Sequence, residues 1–342
     1  MLEIVVLDDF SDLTLVVGTE DEEGDDETGS TGSVGSVQRV KVSSSVLRLA
    51  SPVWKSMFNP SGHFLESTAK EVSFPDDDPA ALLIVLRIAH LRFKEVPDKL
   101  SFKELVSVAV ICDKYDTVSI VRPFLSEWTG PEMKVSPGEE EWIFIAWTFG
   151  YKDAFTSGVQ ELVRKVTIDD KGRCMFIGKA VNGCLPPDII DCVLRARTEA
   201  LSKLIDIPFG ILECALSRNM CSLFDTEQSS LFPSVKFPHE EAVRCTTLLI
   251  GLIHKGLHRC GLGATRPKPS TLRTSVDTLS SNIKFTWMSV NGTRGGYLTM
   301  KQNHYKCNAE IDMHKATGKI MDSLPIGYGD HHLKHIAEQA RK

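Results

Sequence analysis

The chain has 342 residues, of which 42% are hydrophobic and 25% are charged, so it is long enough to form two domains with hydrophobic cores. No segment approaches the ~20 apolar residues of a membrane span, and the N-terminal segment is acidic without a basic flank, so we expect neither a membrane protein nor a secretory signal. The nine cysteines show no paired spacing, which is typical of a reducing compartment, and we expect a cytoplasmic or nuclear protein.

The net charge of −6 is distributed unevenly along the chain. Residues 241–342 contain 15 Lys and Arg against 7 Asp and Glu, a net charge of +8, whereas residues 1–240 carry −14. Clustered basic residues would favour nucleic acid or an acidic partner. Because these basic residues are scattered, we expect a solvated basic face that offsets the acidic half, and we do not expect nucleic acid as a partner.

Three strands are predicted near the N-terminus. Residues 2–7 form a short apolar run, Leu13–Val17 is rich in β-branched residues, and Val37–Val42 alternates valine with polar residues, as in a half-buried strand that returns beside the first. The intervening residues 19–36 are acidic and rich in Gly and Ser, with Val34 as their one large apolar side chain. Such a segment buries too little surface to offset its ordering entropy, so we expect a disordered loop.

After the third strand the apolar spacing changes from two to about 3.6 residues, which predicts helices. Ser43–Ala50 is predicted as one short helix, and Ser51 and Pro52 start a second as its N-cap and first helical residue. The side chains predicted to face inward are Val46, Leu47 and Leu49 in the first helix and Val53, Met57 and Phe58 in the second.

A fourth strand and longer helices follow. Glu71–Phe74 alternates as a strand, and Asp76–Pro79 is an acidic cap with a proline start for a helix that runs to about Leu91. Ser101–Glu104 is a capping box for the next helix, and Thr117–Trp128 is predicted as another. Leu105, Val108, Ala109, Cys112 and Tyr115 are predicted to face the core. This order of elements predicts one compact α+β domain over residues 1–128.

Over about residues 3–128 the chain resembles a BTB/POZ domain of the divergent type found in fungal proteins. The resemblance is carried by Ser11–Val17, Val40–Phe58, Glu71–Asp78, Leu100–Leu105, Cys112–Asp116 and Val121–Leu125. It implies a small sheet packed on helical hairpins, with Asp12, Leu13, Val46, Leu47, Val53, Met57 and Phe58 in its core. It also implies a protein that binds other proteins, without catalysis and without a cofactor.

The chain departs from many relatives at two places. Ser43 and Ser44 stand where those relatives carry a His-basic pair that contributes to a charged, corepressor-binding pocket, so we do not expect that role. Relatives also form homodimers through a long N-terminal helix, whereas only eleven residues precede Asp12 here. A homo-oligomer by that route is therefore not expected, and the oligomeric state stays open.

Phe64, Leu65 and Glu66 resemble the apolar-x-Glu motif by which some BTB adaptors bind the cullin scaffold of RING-type ubiquitin ligases. In that chemistry an apolar anchor enters a pocket and a carboxylate meets backbone donors or a basic group. The alternative interpretation is an ordinary loop with a buried Phe and a solvated Glu.

The rest of the chain is predicted to be mainly α-helical, with a helical region at 129–221, a linker at 222–240 and a basic helical region at 241–342. The predicted helices are Glu139–Gly150 with a buried aromatic face, about Phe155–Val166, and about Asp188–Leu216 with a kink at Pro208. A further break is expected at Arg266–Ser270. These helices resemble the region that follows the BTB domain in the same fungal proteins.

Candidate metal ligands lie in the C-terminal region. His304 and Cys307 have a ligand-like spacing, and Cys245 or Cys260 could complete a tetrahedral zinc site. No Cys-x-x-Cys is present and the remaining spacing is irregular, which favours buried cysteines and surface histidines, so we expect no bound metal.

The leading functional hypothesis is an interaction adaptor or scaffold built on the BTB/POZ module, with substrate recruitment to a cullin-RING ubiquitin ligase as one output. No phosphate-binding glycine loop, nucleophile elbow or His-Glu-x-x-His motif is present, so an enzyme is not expected. The alternatives are a nuclear regulatory protein whose basic C-terminal region contacts nucleic acid or chromatin, and a zinc-dependent enzyme built on the Cys/His set.

Overall fold

The structure is a computed structural model that describes residues 4–19, 37–130, 133, 135–217, 239–286 and 309–342. Apart from Thr19, the loop predicted at 19–36 lies outside the described residues, and so does the predicted linker up to residue 238. The chain forms two compact units, one of Met1–Gly158, Asn182–Pro187 and Asp330–Lys342, the other of Val159–Val181 and Asp188–Gly329. Both helices and small sheets are present, so the fold class is α+β, as the sequence predicts.

A four-stranded sheet lies in the first unit. Its strands are β1 (Ile4–Val6), β2 (Leu13–Val17), β3 (Gln38–Val42) and β4 (Glu71–Phe74), in the order β1-β3-β2-β4. β3 pairs with β2 in the antiparallel sense, and β1 with β3 and β2 with β4 are parallel. Every second residue of β2 is buried, as the alternating pattern predicts, and β3 does return beside the first strand.

The first four helices of the first unit begin within one residue of the positions that the sequence signals predict, whereas the helix predicted from Glu139 begins at Trp142. They are α1 (Ser44–Ala50), α2 (Pro52–Met57), α3 (Pro79–Ala89), α4 (Phe102–Tyr115), α5 (Val118–Val121), α6 (Leu125–Thr129) and α7 (Trp142–Phe149). Ser51 caps α2 by accepting a hydrogen bond from the Trp54 amide at 3.0 Å, and Asp78 caps α3 in the same way. Ser101 and Glu104 form the expected capping box of α4.

The inward faces of the two short helices differ from the prediction. Leu49 is 89% exposed and Val53 is 36% exposed, whereas Leu47 and Trp54 are fully buried. Successive helical residues are rotated by about 100°, so Leu49 lies nearly opposite Leu47 and Trp54 shares its face with Phe58. A helix of six or seven residues holds too few apolar positions for its sequence to define which face is buried.

Tyr115, the last residue of α4, links the sheet to the short helices. Its hydroxyl donates to the buried Asp77 carboxylate, which also accepts from the Lys114 ammonium at 2.5 Å. The Tyr115 carbonyl accepts from the Ser51 hydroxyl, and its ring lies 5.1 Å from Trp54 and 5.7 Å from Phe74 between centroids. Burial raises the pKa of Tyr115 far above its ordinary range, and the Asp77 carboxylate raises it further, so the phenol remains a donor.

The later part of the first unit is also helical, with one correction. The helix predicted at Thr117–Trp128 is divided into α5 and α6 by a turn of 3-10 helix, Arg122–Phe124, which contains Pro123. α7 ends at Gly150, is followed by α8 (Lys152–Lys165), and has every residue from Ile143 to Phe149 buried. A C-terminal helix, Asp330–Gln339, also belongs to this unit.

The second unit contains the long amphipathic helix that the sequence predicts. Its elements are β5 (Val166–Ile168), β6 (Cys174–Phe176), β7 (Lys179–Ala180), α9 (Ile189–Ser217), α10 (His239–Arg259), α11 (Val276–Thr286) and α12 (Ala309–Asp322). Pro208 lies inside α9 without ending it. The apolar stripe of α9 packs with α10, α11 and Met313 of α12 in one core. The C-terminal helix of the first unit, Asp330–Gln339, is α13.

The antiparallel sheet of β5, β6 and β7 was not predicted, because each strand has only two or three residues. It supplies one partner of a buried cation on α9. Arg197 is fully buried and donates to the carbonyls of Val166, Leu272 and Thr274 at 2.6 to 3.0 Å. The positive charge is thus solvated by backbone oxygens of two segments, β5 and residues 272–274.

Within the described ranges, no helix combines the length and apolar character that crossing a membrane would require.

We expect Tyr115→Phe to lower the free energy of unfolding by about 1–3 kcal/mol, because the buried Asp77 carboxylate loses one of its donors while the ring packing is kept. Tyr151→Phe, at a half-exposed tyrosine of the same unit, is the matched control and should change stability by less than about 0.5 kcal/mol. Urea denaturation followed by circular dichroism measures both. Equal stability of the two variants would contradict a linking role for the Tyr115 hydroxyl.

Candidate functional site

Phe64, Leu65 and Glu66 lie on a turn between α2 and β4 that the backbone holds in one conformation. Leu65–Ser67 is a single turn of 3-10 helix, and the Ser67 amide and hydroxyl both donate to the Phe64 carbonyl, at 3.1 and 2.7 Å. Phe64 is 57% exposed and Leu65 is 89% exposed. Phe64 is therefore not buried, contrary to that detail of the alternative interpretation. We call residues 64–67 the Phe64 turn.

Glu66, unlike Phe64 and Leu65, lines a groove on the protein surface. The groove has a volume of about 290 Å³ and an open side. It is lined by Asp12, Leu13, Ser44, Arg48, Phe58, Pro60, Glu66, Ser67, Thr68, Ala69 and Lys70. Two carboxylates and two cations therefore share this groove, beside two exposed apolar side chains.

Two charged side chains that line the groove, Asp12 and Arg48, are held by hydrogen bonds to residues of α1. The Asp12 carboxylate accepts from the Ser44 amide at 2.7 Å and from the Ser44 hydroxyl at 2.6 Å, which ties the start of β2 to the first turn of α1. The Arg48 guanidinium donates to the hydroxyls of Ser44 and Ser45 and to the Phe58 carbonyl, the last at 3.3 Å. These hydrogen bonds hold Arg48 against the end of α2 and leave the groove pre-organised.

Partial burial raises the pKa of Asp12, but the hydrogen bonds from the Ser44 hydroxyl and amide outweigh it, so the pKa lies below its ordinary value of 3.8. Asp12 is therefore ionised at neutral pH and acts as a surface cap of α1. It is an exposed residue and not part of the core, contrary to the prediction. Asp12 can accept both hydrogen bonds from Ser44 while it stays exposed to solvent, which explains why it is not buried.

The other predicted core residues divide into three groups. Leu13, Leu47 and Phe58 are at most 4% exposed and are therefore buried. Val46 and Met57 are half-buried, and Val53 is exposed. The largest side chain of this core, Trp54, was missed because its neighbours Val53 and Met57 fitted an apolar pattern of their own.

The candidate metal ligands are only partly described by the structure. Cys245 and Cys260 are buried in the second unit, whereas His304 and Cys307 lie outside the described residues. Among the residues that the structure describes, no group of three or more His, Cys, Asp or Glu side chains has an arrangement suited to a metal ion. His254 and His258 are exposed on α10.

Several basic residues of the C-terminal region pair with aspartates of the acidic N-terminal part of the chain. Arg266 pairs with Asp206, Arg273 with Asp170 and Lys342 with Asp116. Each pair lies within one unit and is partly exposed, so each contributes at most about 1 kcal/mol. This pairing favours the interpretation that the basic residues offset the acidic part of the same molecule.

The groove itself was not predicted, although five of its residues stood in the segments that carry the BTB resemblance. The available signal was an aspartate before a strand and a serine at the start of a helix, a combination that favours a side-chain cap. That signal does not indicate that Glu66 and Lys70 line the same groove, because the loop between α2 and β4 has no repeating pattern.

Comparison with known proteins adds no further assignment, since no protein-family model matches the chain and no curated protein is similar to it in sequence.

We expect Asp12→Ala to lower the free energy of unfolding at pH 7 by about 1 kcal/mol, since two donors of Ser44 lose their acceptor. The folded pKa of Asp12 is lowered, so this stabilisation is fully present above pH 3.8 and is lost as the pH falls through the folded value. Asp9→Ala, at an exposed aspartate nearby, is the control. Denaturation at pH 7 and at pH 3 tests the prediction, which is wrong if the difference between the variants persists at the lower pH.

Proposed function

We propose that the protein is an adaptor or scaffold that binds other proteins through a BTB/POZ-type module in its first unit. What supports this is the order of elements, in which three strands of a small sheet precede two short helices and the fourth strand follows them before the longer helices begin. The same order underlies the resemblance over residues 3–128. We propose that this module acts by binding and not by catalysis, in the cytoplasm or the nucleus.

We further propose that the Phe64 turn is its partner-binding site and that a cullin scaffold is the partner. The observation that carries this proposal is the exposure of Phe64 and Leu65 on a turn with a defined backbone. An ordered, exposed pair of large apolar side chains gains little from folding alone, and such pairs serve as anchors when a partner pocket covers them.

The groove beside the turn provides the polar part of such a contact. Glu66 lines the groove, and its carboxylate is available to backbone amides or to a basic group of a partner. Asp12 and Arg48, by contrast, are engaged in hydrogen bonds within the module. Their role in this proposal is to hold the groove in shape while Glu66 makes the contact.

The predicted test is the loss of cullin binding in the double variant Phe64→Ala with Glu66→Lys. We expect purified full-length protein to bind a cullin N-terminal domain in isothermal titration calorimetry, and the double variant to bind at least roughly thirtyfold more weakly, as expected when an anchor is removed and a charge is reversed. Because Phe64 is largely exposed, the thermal unfolding midpoint should stay within about 2 °C of the wild type.

Leu49→Ala with Glu127→Lys is the control, since it removes another exposed apolar side chain and reverses an exposed carboxylate of the same unit. This variant should bind like the wild type. Equal binding by the Phe64 double variant would exclude the turn as the contact, and no binding by the wild type would exclude the cullin. If the wild type does not bind the cullin, mass spectrometry of proteins that co-purify with the wild type but not with the double variant would identify the partner that the Phe64 turn binds instead.

A further inference from the structure

The C-terminal helix α13 packs on the first unit through contacts that converge on the end of α7. Gly150, which ends α7, has no room for a side chain, because a Cβ atom there would lie 2.5 Å from the Ala340 amide nitrogen. The Arg122 guanidinium donates to the Gln339 carbonyl at 2.6 Å and to the Phe149 carbonyl at 3.4 Å. The Arg122 side chain therefore joins the last turns of both helices.

Two histidines of α13 lie in this packed region. The His335 ring is stacked on Trp147 of α7, with centroids 3.7 Å apart and an interplanar angle of 9°. His332 is fully buried, and its Nε2 lies 2.8 Å from the Pro187 carbonyl, a contact that requires a proton on Nε2. His335 Nε2 is buried and has no hydrogen-bond partner among the described residues.

Both positively and negatively charged groups surround His335. The titratable and charged groups that face it are Lys342, Glu338 and His332 from the C-terminal segment and Asp116 from the end of α4, while α7 contributes the uncharged Trp147. Lys342 forms an ion pair with Asp116, and Arg122 lies at the end of α13. Asp116 is therefore already paired with a cation, Lys342.

We propose that α13 is a pH-sensitive latch, in which protonation of His335 weakens the packing of α13 against α7 and releases the helix. A cation over an indole face is stabilised by the quadrupole of the ring. A buried N–H of an imidazolium that has no acceptor, with Lys342 and His332 nearby, costs more than this gain. Protonation of His335 is therefore unfavourable in the packed state, and it weakens the packing of α13.

The pH range follows from the same groups. Burial lowers the pKa of His335 below its ordinary value of 6.5, and repulsion by Lys342 lowers it further. A base whose folded-state pKa is lowered stabilises the packed state fully above pH 6.5, and this contribution is lost as the pH falls from 6.5 through the folded value. Release is therefore expected in mildly acidic solution and not at neutral pH.

Hydrogen exchange of the full-length protein at pH 7.5 and pH 5.5, corrected for intrinsic rates, tests the latch. We expect the protection of residues 330–342 to fall by roughly threefold or more at the lower pH, while β2 and β3 keep theirs. His335→Phe keeps an aromatic ring on Trp147 but does not titrate, so its protection should change by less than about half as much. His63→Gln, at an exposed histidine, should behave like the wild type.

Unchanged protection of α13 in the wild type, or an equal fall in His335→Phe, would overturn the proposal. If His335→Phe were already unprotected at pH 7.5, the NMR titration of His335 in labelled wild-type protein would decide. A midpoint below 6.5 would support the latch, and a midpoint at or above 6.5 would overturn it.

Discussion

The first unit depends on one buried constraint, the junction at Tyr115. Its hydroxyl bonds Asp77, its carbonyl accepts from the Ser51 hydroxyl, and its ring packs on Trp54. One residue at the end of α4 therefore fixes the loop that starts α3, the cap of α2 and the inward face of that helix. Tyr115 and Lys114 both donate to the buried Asp77 carboxylate, and loss of either donor is costly because burial makes an unsatisfied anion unfavourable.

The proposed partner site is exposed, in contrast to the buried residues around Tyr115. Trp54 and Phe58 bury one face of α2, and the chain then leaves the core for the Phe64 turn. The turn is ordered by backbone and serine hydrogen bonds alone, so its apolar side chains are free to bind outward. A rigid module that presents a few exposed anchors suits an adaptor, since little entropy is lost when a partner covers them.

The first unit also shows how distant parts of a chain complete one another. Asn182–Pro187 and α13 belong to it, although a second compact unit lies between them in sequence. The close approach of Gly150 to Ala340 and the two carbonyls bonded by Arg122 make the packing of α13 specific. The stacked His335 makes the same packing dependent on charge. Packing and pH sensitivity therefore arise from one set of contacts.

Much of the local structure was determined by the sequence itself. The capping box at Ser101, the proline starts after Ser51 and Asp78, and the alternation in β2 depend on interactions within a few residues, so each could be predicted. The resemblance also drew attention to Phe64 and Glu66. Only the tertiary structure decided which face of the short helices is buried, that Asp12 is a surface cap and that α13 packs on α7. These features depend on contacts between residues far apart in the chain, which local periodicity does not encode. The pairing of β5, β6 and β7 is local, but strands of two or three residues are too short to show an alternating pattern.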